Sequence, residues 1–68
     1  MKEHEIELIR ALAENNMSIT RTAKRLYMHR NSVYYHARNI QEKTGKNPFC
    51  FYDLCDLLAI VGKSNEEG

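Results

Sequence analysis

The chain has 68 residues and a mass of 8.0 kDa, enough for one small domain and too little for a multi-layer enzyme with a deep cleft. Its formal net charge is +1, so the chain as a whole is neither a polybasic nucleic-acid arm nor an acidic tail. The apolar share of 43% and charged share of 28% are those of a soluble globular domain, and three Gly with one Pro are too few for a turn-rich all-β fold. No stretch approaches the length of a membrane span, and the first residues lack the apolar core of a signal peptide. Two cysteines make no disulfide framework. These features together predict a cytoplasmic protein with no membrane partner.

Helical periodicity runs through the whole chain. Over residues 4–15, Ile6, Ile9, Leu12 and Ala13 recur at helical spacing, with Glu5, Glu7, Arg10 and Glu14 on the other side. Asn15-Asn16 is a stop signal. Ser18 and Thr20 are both candidate N-caps for a second helix, whose inner stripe is Ile19, Ala23 and Leu26. Tyr27-Met28-His29 is a sharp turn. A third helix then carries Val33, Ala37 and Ile40 inward and runs to Thr44, with Gly45 as its terminator. Asn47-Pro48 reads as the cap and first position of a fourth helix. Its apolar stripe is Phe51, Leu54, Leu57, Leu58 and Val61, and Gly62 ends it. The prediction is an all-α, compact domain of about four helices over residues 1–63, followed by a frayed polar tail at 64–68.

Two short helices joined by a tight turn over residues 18–44 form a helix-turn-helix. With Val33, Ala37 and Ile40 inward, Asn31, Tyr35, Arg38 and Glu42 face outward, flanked by Ser32 and Tyr34. In a helix-turn-helix the start of the second helix enters the major groove. Here that start is His29-Arg30-Asn31-Ser32, and Arg and Asn have the donor geometry that reads guanine and adenine edges. Thr20, Arg21, Lys24, Arg25, His36 and Lys43 are the candidate phosphate contacts. Charge supports this placement: residues 18–46 sum to +6, while the rest of the chain sums to −5. A segment so polarised is the footprint of a nucleic-acid face.

The run Thr22-Ala23-Lys24-Arg25-Leu26-Tyr27-Met28-His29-Arg30-Asn31-Ser32-Val33, followed by Tyr35, Ile40 and Thr44-Gly45, resembles the C-terminal helix-turn-helix domain of bacterial regulators of the PucR and sugar-diacid-regulator type. The likeness extends over roughly residues 6–60, and the packing it implies is similar to that of the Fis-type DNA-binding domain. It implies a sequence-specific, nucleoid-associated transcription regulator that binds duplex DNA, with Arg30, Asn31 and Ser32 in the recognition role and Tyr35 beside them. It further implies that such a domain ends a longer protein bearing a separate sensor. Three positions depart from the pattern: His36 stands where an Arg usually follows the Tyr, Ala37 where a branched residue comes next, and Tyr34 where a basic residue is common.

Other chemistries are weaker. His4, His29, His36, Cys50 and Cys55 do not follow zinc-site spacings, and no cofactor is predicted. No nucleophile elbow or glycine-rich phosphate loop occurs, so no enzyme is predicted. Two readings stand for several residues. His29 either caps the third helix or touches a base. Tyr34 either packs over a neighbouring helix or joins Tyr35 at the nucleic acid. The fourth helix either closes the monomer or, through Phe51, Leu54, Leu57, Leu58 and Val61, forms a homodimer. In the second case the domain would be a protein-interaction module.

Overall fold

The computed structural model describes the backbone of residues 1–66 and the side chains of residues 1–62. It holds four helices, α1 (Glu3–Glu14), α2 (Ile19–Arg25), α3 (Arg30–Thr44) and α4 (Phe51–Glu66), and no strand among the described residues. The all-α class and the helix count are as predicted. The Cα radius of gyration is 10.9 Å, against about 11 Å expected for a compact domain of this length.

Helix α1 is the hub, packing on each of the other three, while α2 also packs on α3. Leu8, Ile9 and Leu12 of α1 meet Ala23 of α2, Val33, Ala37 and Ile40 of α3, and Leu54, Leu57 and Val61 of α4 in one apolar core. Because α1 is covered on more than one flank, its buried arc is wider than the predicted stripe. Leu8 and Ala11 lie inside it, whereas Ile6 and Ala13 sit half-buried at its rim.

The same arc takes in Glu5, which the periodicity placed on the polar side. Its side chain is 1% exposed and accepts the Lys2 backbone N–H at 3.0 Å and the Lys43 ammonium at 3.0 and 3.1 Å. Burial pushes the Glu5 carboxyl up. The Lys2 N–H, the Lys43 ammonium and His4 together outweigh that penalty and hold it below its ordinary value.

The stop at Asn15-Asn16 is realised as a hydrogen-bonded reversal. Asn16 N–H donates to Ala13 O, Met17 N–H to Leu12 O, and the Asn15 amide to Ala11 O at 2.8 Å. Both Asn16 and Met17 are left-handed, at φ 54° and 63°. Ser18 is the N-cap of α2, its Oγ accepting the Arg21 N–H at 3.2 Å. Thr20, the other candidate, lies inside the helix and is exposed. Gly45 closes α3 at φ 74°, as its position predicts.

Two expectations for α4 are corrected. It begins at Phe51, not at Asn47-Pro48. Asn47 instead caps a separate turn: its Oδ1 accepts the Phe49 N–H at 3.0 Å and its carbonyl the Cys50 N–H at 2.9 Å. Asp53 Oδ2 accepts the Asn47 N–H at 3.0 Å and ties that turn to α4, over a buried Pro48. Nor does Gly62 end the helix, which continues to Glu66. One glycine inside a helix costs only about 1 kcal/mol relative to Ala, too little to stop it. The frayed tail expected at 64–68 falls outside the described side chains, and residues 67–68 fall outside the described backbone as well.

Candidate nucleic-acid interface

The turn between α2 and α3 is fixed by backbone bonds. Leu26 N–H donates to Thr22 O at 3.0 Å, Tyr27 N–H to Lys24 O at 3.2 Å, and Met28 N–H to Ala23 O at 2.9 Å. The crossed pair from Tyr27 and Met28 is the Schellman arrangement, which needs a left-handed residue after the helix. Gly normally fills that place; here it is Tyr27, at φ 55°. A side chain in that conformation costs about 1–2 kcal/mol. Met28 turns back and packs half-buried against the core.

His29 then caps α3, its Nδ1 accepting the Asn31 N–H at 3.1 Å. Of the two readings for His29, the structure shows the cap. With Nδ1 so occupied, the neutral ring carries its proton on Nε2. Arg30 and Asn31 begin α3 on the surface, and Ser32 is half-buried beside them. Val33, Ala37 and Ile40 are buried, so the opposite face projects Asn31, Tyr35, Arg38 and Glu42 to solvent, as the helical wheel predicts. Tyr35 is 64% exposed. Tyr34 is half-exposed, and its ring packs edge-on against Phe49, in the turn before α4, at 5.6 Å. Tyr34 and Phe49, with Ala37, Arg38, Gln41 and Asn47, line a cleft of about 210 Å3 beside the second half of α3.

The seven basic residues of the +6 segment are not equivalent. Arg25 pairs with Glu14 at 3.2 Å, Lys43 with Glu5 at 3.0 Å and Lys46 with Asp56 at 3.0 Å. The Asp56 carboxylate hydrogen-bonds Lys46 and raises its pKa. Arg21, Lys24, Arg30 and Arg38 are exposed and have no ion-pair partner among the described residues. Two predicted phosphate contacts are therefore placed elsewhere. Lys43 is spent on Glu5, because the buried carboxylate needs a cation. His36 turns its ring to His4 of α1, with centroids 4.7 Å apart, and its Nδ1 is buried without a hydrogen-bond partner among the described residues.

Sequence reading missed the meeting of His4 with His36, the burial of Glu5 and the conformation of Tyr27. Only Glu5 had a signal available, since a Glu in the first turn reaching back to the preceding N–H is half of a capping box. Cys50 and Cys55 are free and exposed. No group of three His, Cys, Asp or Glu side chains comes together to hold an ion among the described residues.

Of the five dimer candidates on α4, Leu54, Leu57 and Val61 are buried in the monomer and Leu58 is half-buried, so they serve the fold first. Phe51 remains outside, 62% exposed, with Tyr52 at 78%. Beside Phe51, a groove of about 220 Å3 runs between α4 and the end of α1. No described helix is long and apolar enough to cross a membrane.

Comparison with curated proteins and with solved structures returned no match. The family model of the PucR C-terminal helix-turn-helix domain matches residues 6–60. That span holds the whole helix-turn-helix, most of α1 beneath it and most of α4. The chain belongs to the PucR C-terminal helix-turn-helix domain family.

Proposed function

We propose that this domain binds duplex DNA in a sequence-specific manner and regulates transcription, without enzymatic activity, in the bacterial cytoplasm. The observation that carries this reading is the start of α3, where the side chains of Arg30 and Asn31 stand exposed behind the His29 cap with no partner among the described residues. In this reading Arg30 donates two hydrogen bonds to guanine and Asn31 pairs with adenine. Ser32 and Tyr35 contact the groove beside them, with Tyr34 at the edge. Arg21, Lys24 and Arg38 neutralise phosphates, and Thr20, at the exposed start of α2, adds a neutral hydrogen bond. Arg25 lies on the same side, but its pair with Glu14 must open first.

Selection of bound sequences from a randomised duplex pool tests the reading. The expected result is an enriched motif whose affinity falls with salt. Absence of enrichment together with salt-independent binding refutes it.

Exposed Phe51 and Tyr52 favour a second reading that is compatible with the first. They form the contact with a second copy of the chain, giving a dimer that reads paired half-sites. Sedimentation of the wild type against Phe51→Asp tests this, and a wild type that stays monomeric at high concentration refutes it. A sensor region elsewhere in a longer regulator would fit the same architecture.

A further inference from the structure

The geometry points to Tyr27 as a DNA-backbone contact, its phenol O–H donating to a phosphate oxygen; this rests on the duplex-binding reading above. Tyr27 is the most exposed large apolar or aromatic side chain of the domain, at 96%. Its side chain has no hydrogen bond and no ring contact among the described residues. Packing therefore gains nothing from the ring, while the backbone beneath it is held at φ 55°, where Gly would sit without penalty. A residue that strains the fold and contributes no packing marks a site of function.

The position identifies the ligand chemistry. Tyr27 lies between the basic last turn of α2, with Lys24 and Arg25, and the capped start of α3 at His29 and Arg30. Three residues of chain reach at most about 10 Å, so Tyr27 is at the end of α3 that would enter the groove. It stands outside α3 itself, beyond the residues proposed to read base edges. At the flank of the groove a duplex offers phosphate oxygens, which only accept hydrogen bonds, and a tyrosine hydroxyl is one of their usual donors. The turn is rigid because both its N–H groups are bonded, so the ring is presented with its backbone already ordered.

Tyr27→Phe and Tyr27→Gly are titrated with the selected duplex and with unrelated duplexes, alongside thermal melting. Tyr27→Phe is expected to lose roughly tenfold in affinity on every sequence, the value of one hydrogen bond to a charged group. The salt slope stays at the wild-type value, because no charge is removed. Tyr27→Gly is expected to lose at least as much while melting no lower than the wild type, because Gly carries no left-handed penalty at this position. Wild-type affinity in Tyr27→Phe overturns the proposal, as does a loss confined to one base sequence. A wild type that binds no duplex at all overturns the DNA-binding reading instead.

Discussion

Replacing Lys43 by Met separates two roles for one cation. Lys43 reaches from the last turn of α3 to Glu5 in the first turn of α1, with both carboxylate oxygens within 3.1 Å. Methionine keeps most of the apolar stem and removes the charge. Stripping one partner from a buried pair costs about 3–5 kcal/mol, because the other charge is left in a low-dielectric site. Here the Glu5 side chain is 1% exposed but that of Lys43 is 45% exposed, so solvent screening reduces the expected cost to about 2 kcal/mol. For a domain of this size that is a fall in Tm of roughly 8–16 °C. The loss should be greatest near neutral pH and shrink in acid, where Glu5 protonates in the wild type too. Glu5→Gln with Lys43→Met should recover much of the stability, giving a coupling of about 1 kcal/mol or more in a double-mutant cycle. Thermal melts at several pH values measure all three terms, and a duplex titration of folded Lys43→Met completes the test. An unchanged Tm, with a salt slope reduced by about one, would refute the structural role and return Lys43 to the phosphate contacts.

Four other outcomes follow from the same packing. Thr22 is fully buried and its Oγ1 has no hydrogen-bond partner among the described residues, so Thr22→Val should raise stability by about 1 kcal/mol, read by denaturant melts. Leu57, at 0% exposure in the centre of α4, should cost about 2–5 kcal/mol when cut to Ala, read the same way. The Glu5 carboxyl is held below its ordinary value in the fold. Its contribution is therefore full above the unfolded pKa and is lost as pH falls through the lower folded one. Glu5→Gln should flatten the acid limb of stability against pH. Arg30→Ala should relax base preference at one position and cost about 1–3 kcal/mol, whereas Lys24→Ala should weaken all duplexes alike; competition titrations distinguish them.

The fold was largely legible because each helix carries its own phase and punctuation. Val33, Ala37 and Ile40 fixed the inward face of α3, and with it which residues face out, before any packing was known. Ser18, His29 and Gly45 marked helix ends through chemistry confined to their own turn. What could not be read was long-range or conditional. Glu5 is buried in the wide inner arc of α1, where Lys43, 38 residues away, meets it. Local spacing contains no trace of that encounter. Asn47-Pro48 is a sound helix start in isolation, but Asp53 pulls the Asn47 N–H into a turn that delays α4 by three residues. Gly62 sits in open space, so nothing but its own modest propensity opposed the helix, and that was insufficient. For α4 the apolar stripe was found but its use was left open between closing the monomer and pairing with a second copy; Leu54, Leu57 and Val61 are buried in the monomer's own core.

Charge shows why the segment sum must be read through the structure. The +6 segment and the −5 remainder are not two independent regions. Among the described residues, each of the three ion pairs joins a cation of the segment to an acid outside it: Glu5, Glu14 or Asp56. The acidic frame thereby holds the helix-turn-helix in place and removes three cations from competition for a ligand. Four remain, at Arg21, Lys24, Arg30 and Arg38. Seven phosphate-bound cations would give a salt slope of about −6, whereas four give about −3.6, and about −2.7 if Arg30 contacts a base instead. The Arg25–Glu14 pair is exposed on both sides, and such pairs contribute little and can open toward DNA. Glu14→Gln frees Arg25 without altering any residue of α2 or α3. It should tighten binding at low salt and steepen the slope by up to about one. A slope already near −6 in the wild type, unmoved by Glu14→Gln, would mean that the internal pairs do not withhold charge from the DNA.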